Sequence, residues 1–595
     1  MCGIAGIITL DENKSVSDNQ VQVLREMLNR MKYRGPDQIA TIEEEKYALG
    51  TARLTIVGSE TGKQPVTDND SSLVFNGEIY NYKELSRDYL SSETNPTSDS
   101  YILLKFLQAY GVDKINLLNG MFSFCYVDKD AIYLVRDRFG KKPFYYTIED
   151  GYLLFASELK AFIGIVDFEL AIPSLYAQLE TTLDGESIFK NIFEVESAGY
   201  IKIDRKNNNL LKHKYFTLHN IQQERGSEKY LIEKLRWLVE DAVKIRTDTN
   251  LELGSFISGG IDSSILALLA KPHCLLTYLP NSAYINAEEQ YADILSSKLP
   301  ESIYLKVTSR KEDILKHLID TVYCNGGPTT TLAACSQYAL SEALSTKGIR
   351  IALSGLGADE FFNGYARHAI SLLPEGHYMN PFFKQYKSLV DLALPQKSIA
   401  AKYASLLNRS SEKSHELTTL VDNIFRNVPT FSSALSICDA TFTLPPLLHT
   451  DDHLNMAFGI ESRAPFLDYR IVSFALGLSD DMKVRVNSKG NLYLKYILKE
   501  AFKDILPNQI YLRQDKIGFS SNINDFLRGD FKGLVKNSKA VLAEDLPAKE
   551  LLSHNVGLNP YLRHEYQLVQ LAITYLIYCR KYTQKDVELV LSKGM

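Results

Sequence analysis

Apolar residues recur in two different rhythms along this chain. In the N-terminal part they come as short strand-like runs, Ser72 to Asn76, Phe122 to Val127 and Ala131 to Val135. Turn-forming clusters bound them: Asp68-Asn69-Asp70, Asn119-Gly120 and Asp128-Lys129-Asp130. Two stretches follow a helical spacing instead. Asp18 to Met31 sets Val21, Leu24, Met27, Leu28 and Met31 on one face, and Ser98 to Tyr110 opens on a Ser-Asp capping signal. Strands mixed with a few helices predict a sandwich of sheets with both faces covered.

A polar stretch, Asp204 to Lys229, holds Asn207-Asn208-Asn209 and the run from Gln222 to Gly226, and is the expected linker. Beyond it the helical rhythm dominates: Tyr230 to Ile245, Ser263 to Ala270, Glu288 to Lys298 and Ser336 to Ser345, with the β-branched run Ile349 to Leu353 among them. Strand-then-helix alternation predicts a parallel sheet. From about residue 380 the pattern reads as an all-helical extension. The apolar stretch Leu568 to Cys579 is interrupted by Gln570 and stops at Arg580. It falls short of the roughly 20 residues a bilayer span needs, and predicts a buried helix.

At ~150 residues per domain, a chain of 595 residues implies roughly two to four domains. Hydrophobic residues at 45% and charged residues at 23% exclude a mainly disordered or fibrous chain. The net charge of −6 gives no general field for nucleic acid or an anionic membrane. Seven scattered cysteines, none in a C-x-x-C pair, indicate neither a disulfide framework nor a zinc site. No basic leader precedes the first apolar stretch, and a reducing cytoplasm is the expected location.

Cys2 is followed by Gly3. Removal of Met1 would place thiol and α-amine on one carbon, and an amine of pKa ~7.7–8.0 is a base for its own thiol. None of the eleven histidines lies in the first 200 residues to serve instead. Alone, such a cysteine reads as a small buried apolar residue. Its company changes that reading: MCGIAGI (Met1 to Ile7), RGPD (Arg34 to Asp37), RLTIV (Arg53 to Val57), Gln64-Pro65, FNGEIYNY (Phe75 to Tyr82), Ser98-Asp99, LLNGMFSF (Leu117 to Phe124), RDRFGKKPFYY (Arg136 to Tyr146) and FASELKA (Phe155 to Ala161). As a set these strings resemble the glutaminase domain of class II glutamine amidotransferases, and the later ones look most like the asparagine synthetase branch.

The resemblance implies an Ntn-hydrolase αββα sandwich over residues 2–205 with Cys2 as nucleophile. It assigns the tetrahedral oxyanion to the Asn76 side-chain amide and the Gly77 N–H, since that charge needs preorganised donors. Arg53 then offers a planar fork to glutamine's α-carboxylate, with Glu78 and Asp99 as counter-charges to its α-ammonium. Arg34 and Asp37, flanking Gly35-Pro36, read as a salt-linked turn.

LGSFISGGIDSSILALLA, Leu253 to Ala270, is a short strand, a glycine loop and a helix whose start carries Asp262 and Ser263. Free N–H groups at a helix start hold phosphate, and Gly259-Gly260 lets the main chain wrap an anion. No Gly-Lys-Ser/Thr follows, so this is not a Walker A loop. It resembles the pyrophosphate loop of ATP pyrophosphatases, which implies ATP contacts from Ile257, Ser258, Gly259, Gly260, Asp262 and Ser263. ALSGLGADEFFNGY, Ala352 to Tyr365, is similar to the second signature of asparagine synthetase-type domains. There Ser354 and Gly355 would lie beside the AMP part, and Asp359 would join Asp262 as a Mg²⁺ ligand. Helix capping by Asp359-Glu360 is a compatible reading. MAFGIESRAPFLD (Met456 to Asp468), Lys495 in LYLKYILKEAF and RQDKIGF (Arg513 to Phe519) continue the order, with Lys495 set against the phosphates.

These strings span a second domain, residues 228–590, expected as a parallel-sheet ATP-pyrophosphatase domain (adenine nucleotide alpha hydrolase-like) with a helical extension. Two departures stand out: Leu356 where some relatives carry Glu, and Asn325 to Ser341 with no charged residue. Ala287 also stands before Glu288 where an acid is usual. The implied activity is glutamine- and ATP-dependent amide synthesis, with aspartate the default acceptor and Arg463 or Arg367 its nearest charged partners by motif. Another carboxylate, such as a sugar acid or secondary-metabolite precursor, and a catalytically silent binding homologue are the alternatives. A phosphoribosyl-amidotransferase would lack SGGIDSS. Expected partners are small molecules, with no nucleic acid and no membrane; a homodimer is left open.

Overall fold

The computed structural model describes residues 2–58, 60–90, 97–279, 287–308, 310, 313–330, 333–410, 414–513, 529, 532–544 and 563–593. Met1, residues 331–332 and Gln514 to Phe519 of the RQDKIGF string lie outside them. The N-terminal half holds two six-stranded antiparallel sheets. One runs Ile192–Glu194, Tyr145–Glu149, Tyr152–Ala156, Cys2–Thr9, Tyr47–Arg53, Gln38–Glu43 in spatial order. The other runs Leu210–Lys214, Gly199–Asp204, Ala131–Arg136, Gly120–Val127, Ser71–Ile79, Val66–Asp68.

Alternation along Cys2–Thr9 explains the stacking. Cys2, Ile4 and Ile8 pack inward with Val74, Cys125 and Leu134 of the second sheet, while Ala5 and Ile7 pack outward under Leu24, Met27 and Leu28 of the helix Asp18–Arg30. The second sheet behaves likewise: Phe75, Phe122 and Phe124 lie under Ile102 and Phe106 of the helix Asp99–Tyr110, which Ser98 caps by accepting from Tyr101 N. Helix, sheet, sheet and helix form an αββα sandwich.

The C-terminal half carries a five-stranded parallel sheet ordered Ile303–Val307, Cys274–Tyr278, Leu253–Phe256, Ile351–Leu353, Glu461–Arg463. Both faces are covered, by Leu235, Val239, Ile265 and Leu266 on one side and Leu340 and Leu344 on the other, as a parallel sheet requires. The helix Arg563–Thr574 returns to the N-terminal half and shares its core with Leu24 and Phe168, so the stretch predicted as a buried helix is one. Among the described residues no helix is long and apolar enough to cross a membrane.

Two expectations are corrected. The linker region contains the strand Leu210–Lys214, paired with Gly199–Asp204 at the sheet edge. Its outward side chains meet solvent, so polarity there marks an edge strand and not a loop. The region after residue 380 is not all helical: it supplies the strand Glu461–Arg463 and the hairpin of Val484–Val486 with Leu492–Leu494. The sequence Glu-Ser-Arg lacks a strand's apolar signal because buried ion pairs, not apolar packing, satisfy it.

Candidate active sites

Cys2 begins its strand between the two sheets, 3% exposed and opposite Arg53 in register. Its main-chain nitrogen donates to Asn76 Oδ1 at 3.1 Å. Gln64 joins them: its Nε2 donates to Cys2 Sγ at 3.8 Å, and its Oε1 accepts from Phe75 N at 2.7 Å. One strand, Ser71–Ile79, therefore fixes both amide side chains around the thiol. Gly77 follows with φ of 152°, and a Cβ there would lie 2.1 Å from Met121 O. Glycine alone fits that close approach. Arg53 Nη2 donates to Val57 O at 3.2 Å and Gly58 O at 2.6 Å. Asp99 accepts from Ile79 N at 3.2 Å and Ser100 N at 2.8 Å, yet burial outweighs these bonds and pushes its carboxyl up to about 6.

Glu78 has a partner the sequence did not suggest: its carboxylate bonds Arg463 of the C-terminal half. Burial pushes the Glu78 carboxyl upward, against the pull of Arg463 and with the push of neighbouring Glu461. Arg463 is fully buried and also donates to Glu461 Oε1 at 2.6 Å. Arg34 belongs to the same seam. It donates to Cys2 O at 3.2 Å, Glu158 Oε1 at 2.7 Å and Asp452 Oδ2 at 2.7 Å. Lys142 meets the other Asp452 oxygen at 2.8 Å, and Lys141 pairs with Asp451. Arg34 and Asp37 thus do not form a salt-linked turn, because Asp37 pairs instead with Arg350 at 2.6 Å. A fully buried guanidinium needs its donors met, and the seam meets them with carboxylates from both halves.

In the parallel sheet, strand progression reverses between Leu253–Phe256 and Ile351–Leu353. Ligands of open α/β sheets bind at the carboxyl ends of the strands flanking such a point. Both glycine strings emerge there and border one cavity of about 640 Å³. Ser258, Gly260, Asp262, Ser263, Ser354, Gly355 and Asp359 line it. Ile257 does not: its side chain is buried in the core and its nitrogen donates to Leu276 O at 2.8 Å. Gly259 turns the loop at φ of 61°, and a Cβ there would meet Tyr291 Cβ at 2.2 Å.

Lys495 brings the two strings together. Its Nζ lies 2.7 and 2.6 Å from the Asp262 oxygens and 2.6 Å from Asp359 Oδ1. The residue holds φ of 52°, a left-handed conformation uncommon for a side-chain-bearing residue. Gly364 makes room for the cluster, since a Cβ there would lie 2.0 Å from Lys495 Cε and 2.1 Å from Asp359 Oδ1. Two lining cations were missed as site residues by sequence reasoning. Arg513 donates to Ser258 O at 3.3 Å and Gly259 O at 3.2 Å, fixing the loop from outside. Lys499 is 7% exposed, and burial, with Lys495 nearby, lowers its ammonium to about 8. Its spacing four residues after Lys495 was the available signal.

Two carboxylates converging on one point form a hard oxygen donor pair, which fits a magnesium ion that takes its remaining ligands from phosphate. An αββα sandwich that buries Cys2 between its sheets is joined to a parallel sheet whose two glycine strings border one cavity. The glutamine amidotransferase domain family matches residues 1–216, and the asparagine synthase family matches residues 234–566. This chain belongs to the asparagine synthase family. It is 28% identical over 585 residues to glutamine-hydrolysing asparagine synthetase 1 of Bacillus subtilis (strain 168), covering 90% of this chain and 89% of that protein. It is 27% identical over 592 residues to the amidase chyE of Penicillium rubens, covering 86% and 87%.

Proposed function

We propose that this chain is a glutamine-dependent, ATP-dependent amide synthetase. A glutamine amidotransferase domain and an asparagine synthase domain on one chain support the reaction class. The observation that carries the reading is the meeting of Asp262, Asp359 and Lys495 at the sheet's reversal point, on a chain that also holds Cys2 against Asn76 and Gln64.

In the first site the Cys2 thiol gives its proton to the Cys2 α-amine, freed by removal of Met1, and the sulfur attacks glutamine's side-chain amide carbon; the C–N bond breaks as that proton passes to nitrogen, and ammonia leaves. Asn76 and Gly77 hold the oxyanion, while Arg53 and Asp99 orient the amino-acid end. Water then hydrolyses the γ-glutamyl thioester to glutamate. In the second site a carboxylate oxygen attacks the α-phosphorus of ATP, and the bond to pyrophosphate breaks. Lys495 faces the charge that builds on the phosphorus oxygens, with Lys499 as a second cation. Asp262 and Asp359 are the residues that would hold magnesium, whose bound charge would neutralise phosphate. Ammonia attacks the acyl-adenylate carbon, AMP departs and one proton is released. Leu54, Tyr80, Met121 and Met456 form a buried cluster that joins the two halves between the sites.

Aspartate, giving asparagine, is the acceptor brought by the family. A second reading, another carboxylic acid, is favoured by Leu356, Phe382, Leu406 and Leu494, which line the same cavity. The test of the shared chemistry is release of pyrophosphate and AMP in equal amounts from ATP, magnesium, glutamine and a carboxylic acid. ATP cleavage to ADP instead would contradict it.

A further inference from the structure

The amide-synthetase reading leaves the acceptor open, and the far side of the cavity bears on it. Aspartate carries a second carboxylate and an ammonium, each costly to bury without a partner. Among the described residues, the candidate partners are already engaged. Arg367 Nη2 bonds both Asp439 oxygens at 2.9 Å, its Nε donates to Tyr403 OH at 3.1 Å, and its guanidinium lies 3.9 Å from the Tyr365 ring centre. Arg463 is held in the seam between Glu78 and Glu461. The Asp451 carboxylate takes Lys141, Gln337 and Ser462. Glu360 takes the Gly357 N–H and the Tyr365 hydroxyl. Lys499 lines the cavity too, but as the second cation toward the phosphates, one turn after Lys495.

One wall of that lining is apolar. Phe382, Tyr386, Leu389, Leu406 and Leu494 reach the cavity from the helical region and the hairpin, and Leu356 reaches it beside the second glycine string. Each is half-buried, so each keeps apolar surface that an occupant can cover. A site of this kind gains most from a ligand whose body displaces water along that wall. An aspartate would instead set its α-carboxylate and α-ammonium against the apolar side chains of that wall.

We propose that the acceptor is a monocarboxylic acid with an apolar body, aliphatic or aryl. Its carboxylate reaches the α-phosphorus of ATP while its body lies along Phe382, Leu406 and Leu494. This rests on the amide-synthetase reading above. The carboxylate oxygen forms the bond to phosphorus as pyrophosphate leaves, and ammonia later displaces AMP with loss of a proton.

The experiment uses the full chain with ATP, magnesium and ammonium, and measures pyrophosphate release against aspartate, straight-chain acids from acetate to octanoate, and 3-phenylpropionate. The expected result is a kcat/KM that rises with apolar length and exceeds that of aspartate by about tenfold or more. Leu406→Ala should lower kcat/KM for the best acid by about tenfold while the KM for ATP stays unchanged. The milder Phe382→Leu should shift the preference toward a bulkier acid. Release with aspartate that equals or exceeds every apolar acid would overturn the acceptor class and leave the ligase reading standing. No release with any acid, while ATP still binds, would overturn the ligase reading itself.

Discussion

The two reaction centres are built from opposite materials. Around the Cys2 thiol and nitrogen the side-chain contacts are neutral, an asparagine and a glutamine, and the Arg34 guanidinium reaches only the Cys2 carbonyl. Around Lys495 they are charged, with one ammonium between two carboxylates. The difference suits what each proposed reaction would develop. A thioester-forming attack makes one oxyanion in a small space, which neutral N–H donors stabilise without an added desolvated charge. In the proposed second reaction a triphosphate brings several negative charges, which Lys495 and a metal held by Asp262 and Asp359 would offset. Between the two lies a third kind of region, the seam, where Arg34, Lys142, Glu158 and Asp452 neutralise one another in full burial.

The largest expected effect separates the centres outright. Cys2→Ala should lower glutamine-dependent synthesis by at least about a thousandfold, the scale on which a lost nucleophile shows, and leave synthesis from ammonium intact. Loss with both nitrogen sources would mean that the centres are not independent. Next, Lys495→Ala should lower turnover in pyrophosphate release by roughly 100- to 1,000-fold, with glutamine hydrolysis unchanged. A change confined to the KM for ATP would remove Lys495 from the transition state.

The seam comes third. Arg34→Ala strips a cation from Glu158 and Asp452 and should cost roughly 3 kcal/mol of stability, the low end for a broken buried pair, because Lys160 and Lys142 remain. Chemical denaturation of the full chain measures it, and an unshifted midpoint would show that the seam is not stabilising. The smallest effect is a pH dependence. Asp99 titrates near about 6 because it is buried, so its charge is lost as pH falls through that value. The KM for glutamine should rise roughly tenfold per unit below it. The same raised carboxyl favours the folded state while protonated, so its contribution to stability falls as pH rises from the ordinary carboxylate range to about 6. Asp99→Asn should flatten the KM profile, and a profile unchanged by it would assign the titration elsewhere.

Most of the N-terminal fold was legible because its strands alternate and its helices repeat at three and four. The edge strand Leu210–Lys214 was not, since solvent on its outer face leaves it the composition of a loop. Glu461–Arg463 was hidden for the opposite reason, being buried through ion pairs that no periodicity reports. At the sites, the sequence named Cys2, Asn76, Asp262, Asp359 and Lys495, and the structure draws them into two groups. The role of Gln64 at the thiol, the tie from Glu78 to Arg463 and the pairing of Arg367 with Asp439 depend on contacts between residues 62, 385 and 72 positions apart. Local pattern carries no record of such pairings.

In the proposed reaction one chain takes ammonia from glutamine at Cys2 and joins it to a carboxylate activated by ATP. A single double-labelled reaction tests it, with glutamine carrying nitrogen-15 in its side-chain amide and an acceptor acid carrying oxygen-18 in its carboxylate. Mass spectrometry of the products should find nitrogen-15 in the new amide and one oxygen-18 in AMP; with Cys2→Ala and unlabelled ammonium, the oxygen-18 should persist and the nitrogen-15 vanish. AMP without oxygen-18 beside a labelled amide would contradict activation by adenylation.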